Sequence, residues 1–336
     1  ELPASRLVAV ADLNAESLAY AKARFPRVKV TDDYWDLFSV PLDMVAVATP
    51  PATHFRIARD CQNHDLPTLV EQPLALNSHD TERLIEIADQ RHLALMVGHT
   101  FEYHPAVRAL KGLIDRGELG QVYYGDTAWV ELRVGQPDLD LLWDLAPYAV
   151  SIVLYLLGVD PVQVTAQGAD CTSCGKHDVT YLNLQFADNM LAHIRLSRLE
   201  PCQLRRVTVV GSRKMVVYDD VQNVEKIKIY DREHEGSPRA DTAGEVGDDY
   251  HYSSVIIPHI PVVEPLRIEC QHFVDCVING SRPQSCGRAG LRGIRVLEAA
   301  QCSLGSGSTP VPVVGGPLAG LDEEPAASLS RFDVEC

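Results

Sequence analysis

The chain has 336 residues, 46% of them hydrophobic, and a mean hydropathy of -0.06, which is enough apolar sequence for one large or two ordinary domains. Its formal charge of -16 disfavours a nucleic-acid partner, because an acidic surface repels phosphate backbones. The longest apolar runs, such as Met44–Ala48, are far too short to span a bilayer, and no export signal is visible, so we expect a cytoplasmic protein without a membrane partner.

Strand and helix signals alternate through the first third of the chain. Short apolar runs are typical of strands buried on both faces, and amphipathic stretches with capping residues are typical of helices. The predicted elements are strand Leu7–Ala11, helix Ala15–Phe25, strand Met44–Ala48, helix Thr53–Asn63, strand Thr68–Glu71, helix Ser78–Arg91 and strand Leu93–Val97. This order predicts a Rossmann-like α/β domain with a parallel sheet, which we assign to residues 1–120.

Extended, β-branched segments dominate after a predicted helix at Pro105–Arg116. The predicted strands are Val122–Leu132, Val162–Gly168, Val179–Phe186, Met190–Leu199, Arg205–Val210 and Met215–Tyr218, and the predicted helices are Leu145–Leu157, Pro265–Asn279 and Ala289–Leu304. We expect an α+β domain at residues 121–304 with a large, open, mainly antiparallel sheet, and a Gly/Pro-rich tail at 305–336. Because broad apolar sheet faces associate, we also expect a homodimer or homotetramer.

Asp12 ends the first predicted strand. In nucleotide-binding folds an acid at this position binds the ribose hydroxyls and repels a 2′-phosphate, which favours NAD over NADP. The alternative is a turn aspartate beside a helix cap at Asn14. A Rossmann unit carries a strand and a Gly-rich phosphate loop about 20 residues before this acid, and no Gly-x-Gly-x-x-Gly motif occurs in the first half of the chain. We therefore expect the first strand and the Gly loop to be missing, either because the chain is incomplete or because the protein has no pyrophosphate site, and we expect NAD binding by this exact chain to be weak or absent.

Six motifs carry a family resemblance that extends from Leu7 to about Leu304. They are Ala46–His54, Glu71–Pro73, Gly98–Val107, Gly117–Gly120, Leu142–Tyr148 and Pro265–Phe273. Through them the sequence resembles the glucose–fructose oxidoreductase, inositol dehydrogenase and rhizopine-catabolism (Gfo/Idh/MocA) family, and within it the nucleotide-sugar 3-dehydrogenases. The resemblance implies a nicotinamide cofactor, NAD or NADP, and a sugar or nucleotide-sugar substrate. It also implies cofactor-binding roles for Thr49, Pro50, His54, Glu71 and Pro73, beside Asp12.

The catalytic positions depart from the family's pattern. The family carries a Glu-Lys-Pro motif, whose lysine acts with a histidine four residues after an Asp or Asn. Here these positions are Gln72 and Tyr148, four residues after Asp144, and the acid that usually follows the histidine is Ala149. A glutamine amide does not titrate, and a tyrosine phenol titrates near 10 in model peptides, so both are poor bases near neutrality. Tyr148 either donates a proton, with Asp144 one helical turn away, or only fills the space of the histidine.

Three further groups are candidates. His99 follows a predicted strand at the edge where such sheets bind ligands, and is either a catalytic or a structural histidine. Arg205 and Arg206 suit a diphosphate, but neighbours on a strand face opposite sides, so at most one faces a ligand. Cys171 and Cys174 with His177 have metal-like spacing but lack a second ligand pair, so we predict exposed loop thiols and no metal.

The sequence therefore supports a principal hypothesis and an alternative. The principal hypothesis is an NAD(P)-dependent oxidoreductase that acts on a sugar or nucleotide-sugar hydroxyl or ketone, with catalytic residues among Gln72, Tyr148, Asp144 and His99. The alternative is a redox-inactive or repurposed member of the family, which either performs lyase, isomerase or cyclase chemistry or serves as a ligand-binding partner subunit.

Overall fold

Short parallel strands and a broad antiparallel sheet build the two halves of the chain. The computed structural model describes residues 2–132, 139–232 and 252–315. Within them the helices are α1 (Ala15–Arg24), α2 (Pro51–Asn63), α3 (Ser78–Arg91), α4 (Pro105–Asp115), α5 (Leu141–Asp144), α6 (Ala146–Leu157), α7 (Pro265–Asn279) and α8 (Gly287–Gly305), with 3₁₀ turns at Tyr34–Ser39, Thr100–Tyr103 and Ala187–Asn189. The strands are β1 (Ala9–Ala11), β2 (Lys29–Thr31), β3 (Val45–Val47), β4 (Thr68–Glu71), β5 (Leu95–Gly98), β6 (Val122–Val130), β7 (Gln163–Ala169), β8 (Val179–Gln185), β9 (Leu191–Ser197), β10 (Leu204–Gly211), β11 (Lys214–Asp219), β12 (Ile227–Arg232), β13 (Tyr252–Ile256) and β14 (Val311–Pro312).

The chain divides into two compact units. Among the described residues, the first unit comprises residues 2–98 and Leu266–Leu291, and the second comprises His99–Pro265 and residues 292–315. The first unit thus takes in α7 from Leu266 onward and the start of α8 as far as Leu291, both of which the sequence analysis placed in the second domain. The predicted domain boundaries stay a prediction. Of the predicted tail, residues 316–336 lie outside the described residues, and β14 within residues 305–315 pairs with β7.

The first unit contains two parallel sheets. Strands β1 and β2 form one sheet, and β3, β4 and β5 form the other in that order. The strands β4 and β5 are almost fully buried, with Val70, Met96 and Val97 at 0% exposure, which explains why they read as continuous apolar runs. The prediction of a Rossmann-like parallel arrangement with helices is confirmed.

A nine-stranded sheet forms the centre of the second unit. Its order is β13-β12-β11-β10-β6-β9-β8-β7-β14, and β6 with β9 is the parallel pair in an otherwise antiparallel sheet. Helix α6 packs on β6 and β9, and α4 packs on β11. Burial alternates residue by residue along β8, so one face of the sheet is covered and the other is exposed. The expected open, mainly antiparallel sheet is confirmed.

The buried histidine His104 should make the stability of the protein depend on pH. Burial lowers the pKa of His104 from its usual 6.5, the Asp220 carboxylate, 3.7 Å from Nε2, opposes the shift, and Lys226 adds to it, so the pKa lies at about 4. The unfolded chain therefore takes up a proton near pH 6.5 that the folded protein takes up only near pH 4. Keeping His104 neutral in the folded protein therefore costs no stability above pH 6.5. Below that pH the free energy of unfolding falls, and the loss grows until the pH reaches about 4.

We expect the free energy of unfolding to fall by up to about 3 kcal/mol between pH 7 and pH 4.5 through His104 alone. Urea unfolding at several pH values measures the loss. His104→Asn keeps a side-chain acceptor for the Ala106 N–H, which His104 Nδ1 accepts at 3.0 Å, and should flatten the pH dependence. The exposed control His79→Asn should leave it unchanged. An unaltered pH dependence in His104→Asn would contradict the assignment.

Candidate functional site

Several predicted cofactor residues lie at one edge of the three-stranded sheet. Thr49 and Pro50 follow β3, and Glu71, Gln72 and Pro73 lie at the end of β4. Because parallel strands end at the same edge, the sheet brings these segments together, at the edge where such folds bind ligands. The third strand, β5, approaches closely: a Cβ at Gly98 would lie 2.7 Å from Glu71 Oε2 and 3.1 Å from Glu71 Cα, so a larger residue there would require the Glu71 side chain to shift.

His54 connects two of these segments. Its Nε2 lies 2.6 Å from the Thr49 carbonyl oxygen and its Nδ1 lies 2.8 Å from the Pro73 carbonyl oxygen. The side chain is 1% exposed, and both ring nitrogens are engaged with the backbone. His54 therefore fixes the loops after β3 and β4 relative to each other, and its predicted direct contact with a cofactor stays a prediction.

Gln72 is the group at this edge whose chemistry points to a ligand. It is 7% exposed, and among the described residues neither its Nε2 nor its Oε1 has a hydrogen-bond partner. Burying an amide without partners costs roughly 1–3 kcal/mol, so native proteins rarely tolerate it. The peptide bond between Gln72 and Pro73 is cis. An amide with one donor and one acceptor side at the ligand-binding edge suits a hydroxyl or carboxamide group of a bound molecule.

Asp12 combines the two roles that the sequence left open. Its Oδ1 accepts a hydrogen bond from the Asn14 N–H at 2.8 Å, and Asn14 in turn caps α1 by accepting from Glu16 and Ser17. The second carboxylate oxygen has no hydrogen bond within the described part of the chain, and the residue is exposed. Asp12 therefore organises the helix start and still presents an oxygen that suits a ribose hydroxyl.

The first unit fits part of a nicotinamide dinucleotide. The acceptor at Asp12 suits the ribose, and the buried amide of Gln72 suits a polar group at the strand edge. Residues 2–132 contain no Gly-rich loop that would present backbone N–H groups to a pyrophosphate. The predicted cofactor-binding roles of Asp12 and of the segments after β3 and β4 stay predictions.

In the second unit, Tyr148 lies in an aromatic cluster on the covered face of the sheet. Its ring stacks on Trp129 at 6.0 Å with an interplanar angle of 11°, and Phe101 meets both rings edge-on. The Arg205 guanidinium lies 5.5 Å from the centre of the Trp129 ring. Tyr148 is half-buried. The aromatic rings of Trp129 and Phe101 therefore hold the Tyr148 ring in place.

Strand register separates the two neighbouring arginines. Arg205 pairs with Trp129 across β10 and β6, so the two side chains share the covered face. Arg205 also lies 3.3 Å from Glu131 Oε2 and 3.7 Å from Asp220 Oδ2. Arg206 points to the exposed face and binds Asp219 at 2.8 Å. Of the pair, Arg205 is therefore the one on the side of Tyr148.

Asp144 has an ion-pair partner that sequence reasoning missed. Its Oδ2 lies 2.7 Å from Nη2 of Arg198, which also donates to the Leu139 carbonyl at 3.1 Å. Arg198 is 4% exposed, so the pair fixes the short helix α5 from within. Asp144 and Arg198 are 54 residues apart, and no local pattern indicates such a pairing. The predicted catalytic role of Asp144 stays a prediction.

His99 forms a buried pair with Glu102. The distance between Nδ1 and Oε1 is 2.7 Å, and the two residues are 6% and 5% exposed. Both belong to the turn around Thr100–Tyr103 that contributes Phe101 to the aromatic cluster. Of the four predicted catalytic residues, His99 is the one whose ring nitrogen contacts a carboxylate.

The cysteine loop is organised by carboxylates. Asp178 accepts hydrogen bonds from the N–H groups of Cys171 and Thr172, Asp170 accepts from those of Cys174 and Gly175, and His177 Nδ1 lies 2.9 Å from Asp140. The described residues contain no cluster of three or more metal-ligating side chains. Within them, no helix is both long and apolar enough to cross a membrane.

Comparisons with known proteins match both halves of the chain. A profile described as Oxidoreductase family, NAD-binding Rossmann fold, matches residues 1–99, and the GFO/IDH/MocA C-terminal domain matches residues 107–217. UDP-N-acetylglucosamine 3-dehydrogenase of Acidithiobacillus ferrooxidans is 26% identical over 317 residues, which span 88% of each protein. Its solved structure, GnnA, has a TM-score of 0.76 at 22% identity and covers 90% of this chain and 91% of that one. The solved structure of levoglucosan dehydrogenase in complex with NADH and levoglucosan has a TM-score of 0.77 at 17% identity. It covers 92% of this chain and 90% of that one.

Proposed function

The chain belongs to the GFO/IDH/MocA oxidoreductase family, and we propose that it oxidises a secondary hydroxyl of a nucleotide sugar with NAD as the hydride acceptor. The similarity to UDP-N-acetylglucosamine 3-dehydrogenase supports a nucleotide sugar, because its identity of 26% over 317 residues is higher than the 23% of a myo-inositol 2-dehydrogenase over the same length. Family members of this kind bind a dinucleotide in the Rossmann-like domain. We propose that the first unit binds the cofactor and that the second contributes residues that recognise the substrate.

The observation that carries this proposal is the buried amide of Gln72. It stands where the family has its catalytic lysine, at the ligand-binding edge of the parallel sheet, and both of its polar atoms lack partners within the described residues. A buried amide of this kind is expected to be satisfied by a ligand. Gln72 would accept a hydrogen bond from a substrate hydroxyl through Oε1 and donate to an oxygen through Nε2.

The chemistry requires a hydride acceptor and a proton acceptor. When bound, the dinucleotide supplies the hydride acceptor at its nicotinamide ring. Each unit would contribute groups of its own: Gln72 in the first unit would orient a hydroxyl, and the second unit offers the phenol of Tyr148, which donates a hydrogen bond, and a basic group that accepts a proton. The products are a ketone, the reduced dinucleotide and one proton on the protein.

The test is oxidation of UDP-N-acetylglucosamine, followed by the absorbance of reduced nicotinamide, beside UDP-glucose, free N-acetylglucosamine and myo-inositol. We expect turnover with the UDP-sugars and a loss of roughly tenfold or more in kcat/KM for Gln72→Met, which keeps the length and removes both polar atoms. The matched control Gln222→Met alters an exposed glutamine and should match the unaltered protein. Turnover that is fastest with myo-inositol would overturn the nucleotide-sugar assignment.

We propose NAD in preference to NADP because of Asp12. Asp12→Asn removes the charge that repels a 2′-phosphate but keeps an acceptor for the Asn14 N–H. The affinity ratio of NAD to NADP, measured by titration calorimetry, should fall about tenfold, since a hydrogen bond to a charged group contributes roughly 1.5–3 kcal/mol. Asp43→Asn alters an exposed carboxylate and serves as the control. An unchanged ratio would show that Asp12 acts only at the helix start.

We further propose self-association through the exposed face of the large sheet. That face presents Tyr124, 46% exposed, opposite Leu191, 52% exposed, and Tyr181 stacked beside His193. Light scattering should therefore give a homodimer or homotetramer, and Tyr181→Glu should reduce its mass. A particle of 37.0 kDa for the unaltered protein would refute the proposal. The eight cysteines of the described residues are all free thiols, which is consistent with a reducing cytoplasm.

A further inference from the structure

We propose that Glu102 is a positioning residue that makes His99 the proton acceptor of the reaction. The inference rests on the proposed oxidation of a hydroxyl and names the basic group that the substituted site otherwise lacks. It follows from the buried contact between His99 Nδ1 and Glu102 Oε1 at 2.7 Å.

The contact decides which ring nitrogen is basic. An ionised carboxylate only accepts hydrogen bonds, so it selects the imidazole tautomer with the proton on Nδ1. The lone pair then resides on Nε2. The contact with the Glu102 carboxylate is made by Nδ1, so Nε2 is the ring nitrogen that it leaves to other partners. Nε2 is therefore the nitrogen that is available to a substrate hydroxyl.

Neighbouring groups fix the turn that carries the pair. Nε of Arg108, on α4, donates to the Glu102 carbonyl oxygen at 3.2 Å, and its guanidinium lies 4.9 Å from the centre of the Tyr103 ring. On the other side, Phe101 meets Trp129 edge-on at 4.7 Å. With both members of the pair more than nine-tenths buried, the imidazole is held in one orientation.

The other candidate bases of the second unit are less suited. The Asp144 carboxylate is bound by the Arg198 guanidinium at 2.7 Å, and a group engaged in a buried ion pair gives up that partner to accept a proton. Tyr148 carries a phenol, which near neutrality donates a proton more readily than it accepts one. His99 has one nitrogen bound to a carboxylate, which directs the lone pair to the other nitrogen, and this is the arrangement of a general base.

The substrate hydroxyl gives its proton to Nε2 of His99 as the O–H bond breaks, and the carbon–oxygen bond becomes a carbonyl. When bound, NAD would supply the acceptor for the hydrogen on that carbon and its electron pair, so that the cofactor would be reduced as the alcohol is oxidised. His99 becomes an imidazolium, and the carboxylate of Glu102 stabilises that charge through the Nδ1–H hydrogen bond.

The tautomer is tested first, without cofactor or substrate. In protein carrying ¹⁵N-labelled histidine, NMR should report His99 with the proton on Nδ1 near neutral pH. Glu102→Gln replaces an acceptor-only group with an amide that also donates, so we expect the His99 signals to move towards the Nε2–H form. The control Glu225→Gln, at an exposed glutamate paired with Lys228, should leave them in place. The Nε2–H form in the unaltered protein would overturn the proposal.

Kinetics then test the role in the reaction. We expect Glu102→Gln to lower kcat about tenfold with KM little changed, because general-base assistance is weakened and binding is not. Glu102→Asp should recover part of the loss. His99→Ala should lower kcat at least as much, and added imidazole should restore part of it, whereas the exposed control His79→Ala should match the unaltered protein.

The two experiments separate this inference from the proposed function. Oxidation by the unaltered protein together with unaffected kcat in Glu102→Gln would overturn the positioning role and leave the dehydrogenase assignment intact. The Nδ1–H tautomer and its loss in Glu102→Gln, without oxidation of any substrate, would overturn the proposed function and leave the His99–Glu102 pair established. A rise of KM with unchanged kcat in Glu102→Gln would show a structural or binding role and would also overturn the inference.

Discussion

Replacing Gly211 with alanine is expected to lower the free energy of unfolding by about 3 kcal/mol. Gly211 ends β10, where the register with β6 shifts, and it lies against the loop before β6. An added Cβ would overlap the carbonyl oxygen of Leu119 and lie 2.9 Å from its carbonyl carbon. The same carbonyl accepts from the Arg213 N–H at 2.9 Å, so it moves only at the expense of that bond. Urea unfolding followed by circular dichroism measures the loss.

Gly125 provides the matched control in the same sheet. A Cβ there would meet its nearest neighbours, Ala192 Cβ and the Thr208 carbonyl oxygen, at 3.8 Å, which is ordinary van der Waals contact. Gly125→Ala should therefore be neutral or stabilise by about 0.4–1 kcal/mol, because alanine restricts the unfolded chain. If Gly211→Ala and Gly125→Ala destabilise the protein equally, the loss of stability comes from replacing a glycine in a strand and not from the contact with Leu119.

Features with a short-range physical cause were predictable from the sequence. Strands β4 and β5 are buried on both faces, so their apolar runs were unambiguous. Strand β8 alternates between buried and exposed residues because one face of its sheet is covered. The separation of Arg205 from Arg206 follows from the same period of two. Which of the two lies beside Trp129 required the register of β10 with β6, which no local signal gives.

The contacts that define the candidate site were not predictable in the same way. Asp144 and Arg198, or Trp129 and Tyr148, meet only because sheet and helices bring distant segments together. Sequence reasoning assigned His54 to the cofactor from its place in a motif, whereas its two ring nitrogens face backbone carbonyls. The pairing of His99 with Glu102 depends on a 3₁₀ turn that hydrophobic periodicity does not indicate.

The double change Gln72→Lys with Tyr148→His is expected to raise kcat for oxidation of a UDP-sugar about 10²-fold. It restores the two groups that the family carries at these positions. Most of the gain should come from the lysine, because Gln72 is 7% exposed, and a fixed ammonium in such surroundings stabilises a developing alkoxide more than it would in water. The histidine adds a second proton acceptor. Stopped-flow or steady-state absorbance of reduced nicotinamide measures the effect after cofactor binding has been confirmed by calorimetry.

Control substitutions distinguish an effect at the candidate site from a general effect of added positive charge. Gln222→Lys with Tyr123→His makes the same chemical changes at an exposed glutamine and at a tyrosine that is 45% exposed, and should leave kcat unaltered. The single changes should rank Gln72→Lys above Tyr148→His, since the lysine acts on charge that develops in the transition state. If turnover of the unaltered protein already reaches about 1–10³ per second and the double change lowers it, the protein does not depend on the lost lysine and histidine. That outcome would show that its own groups at these positions form the functioning site.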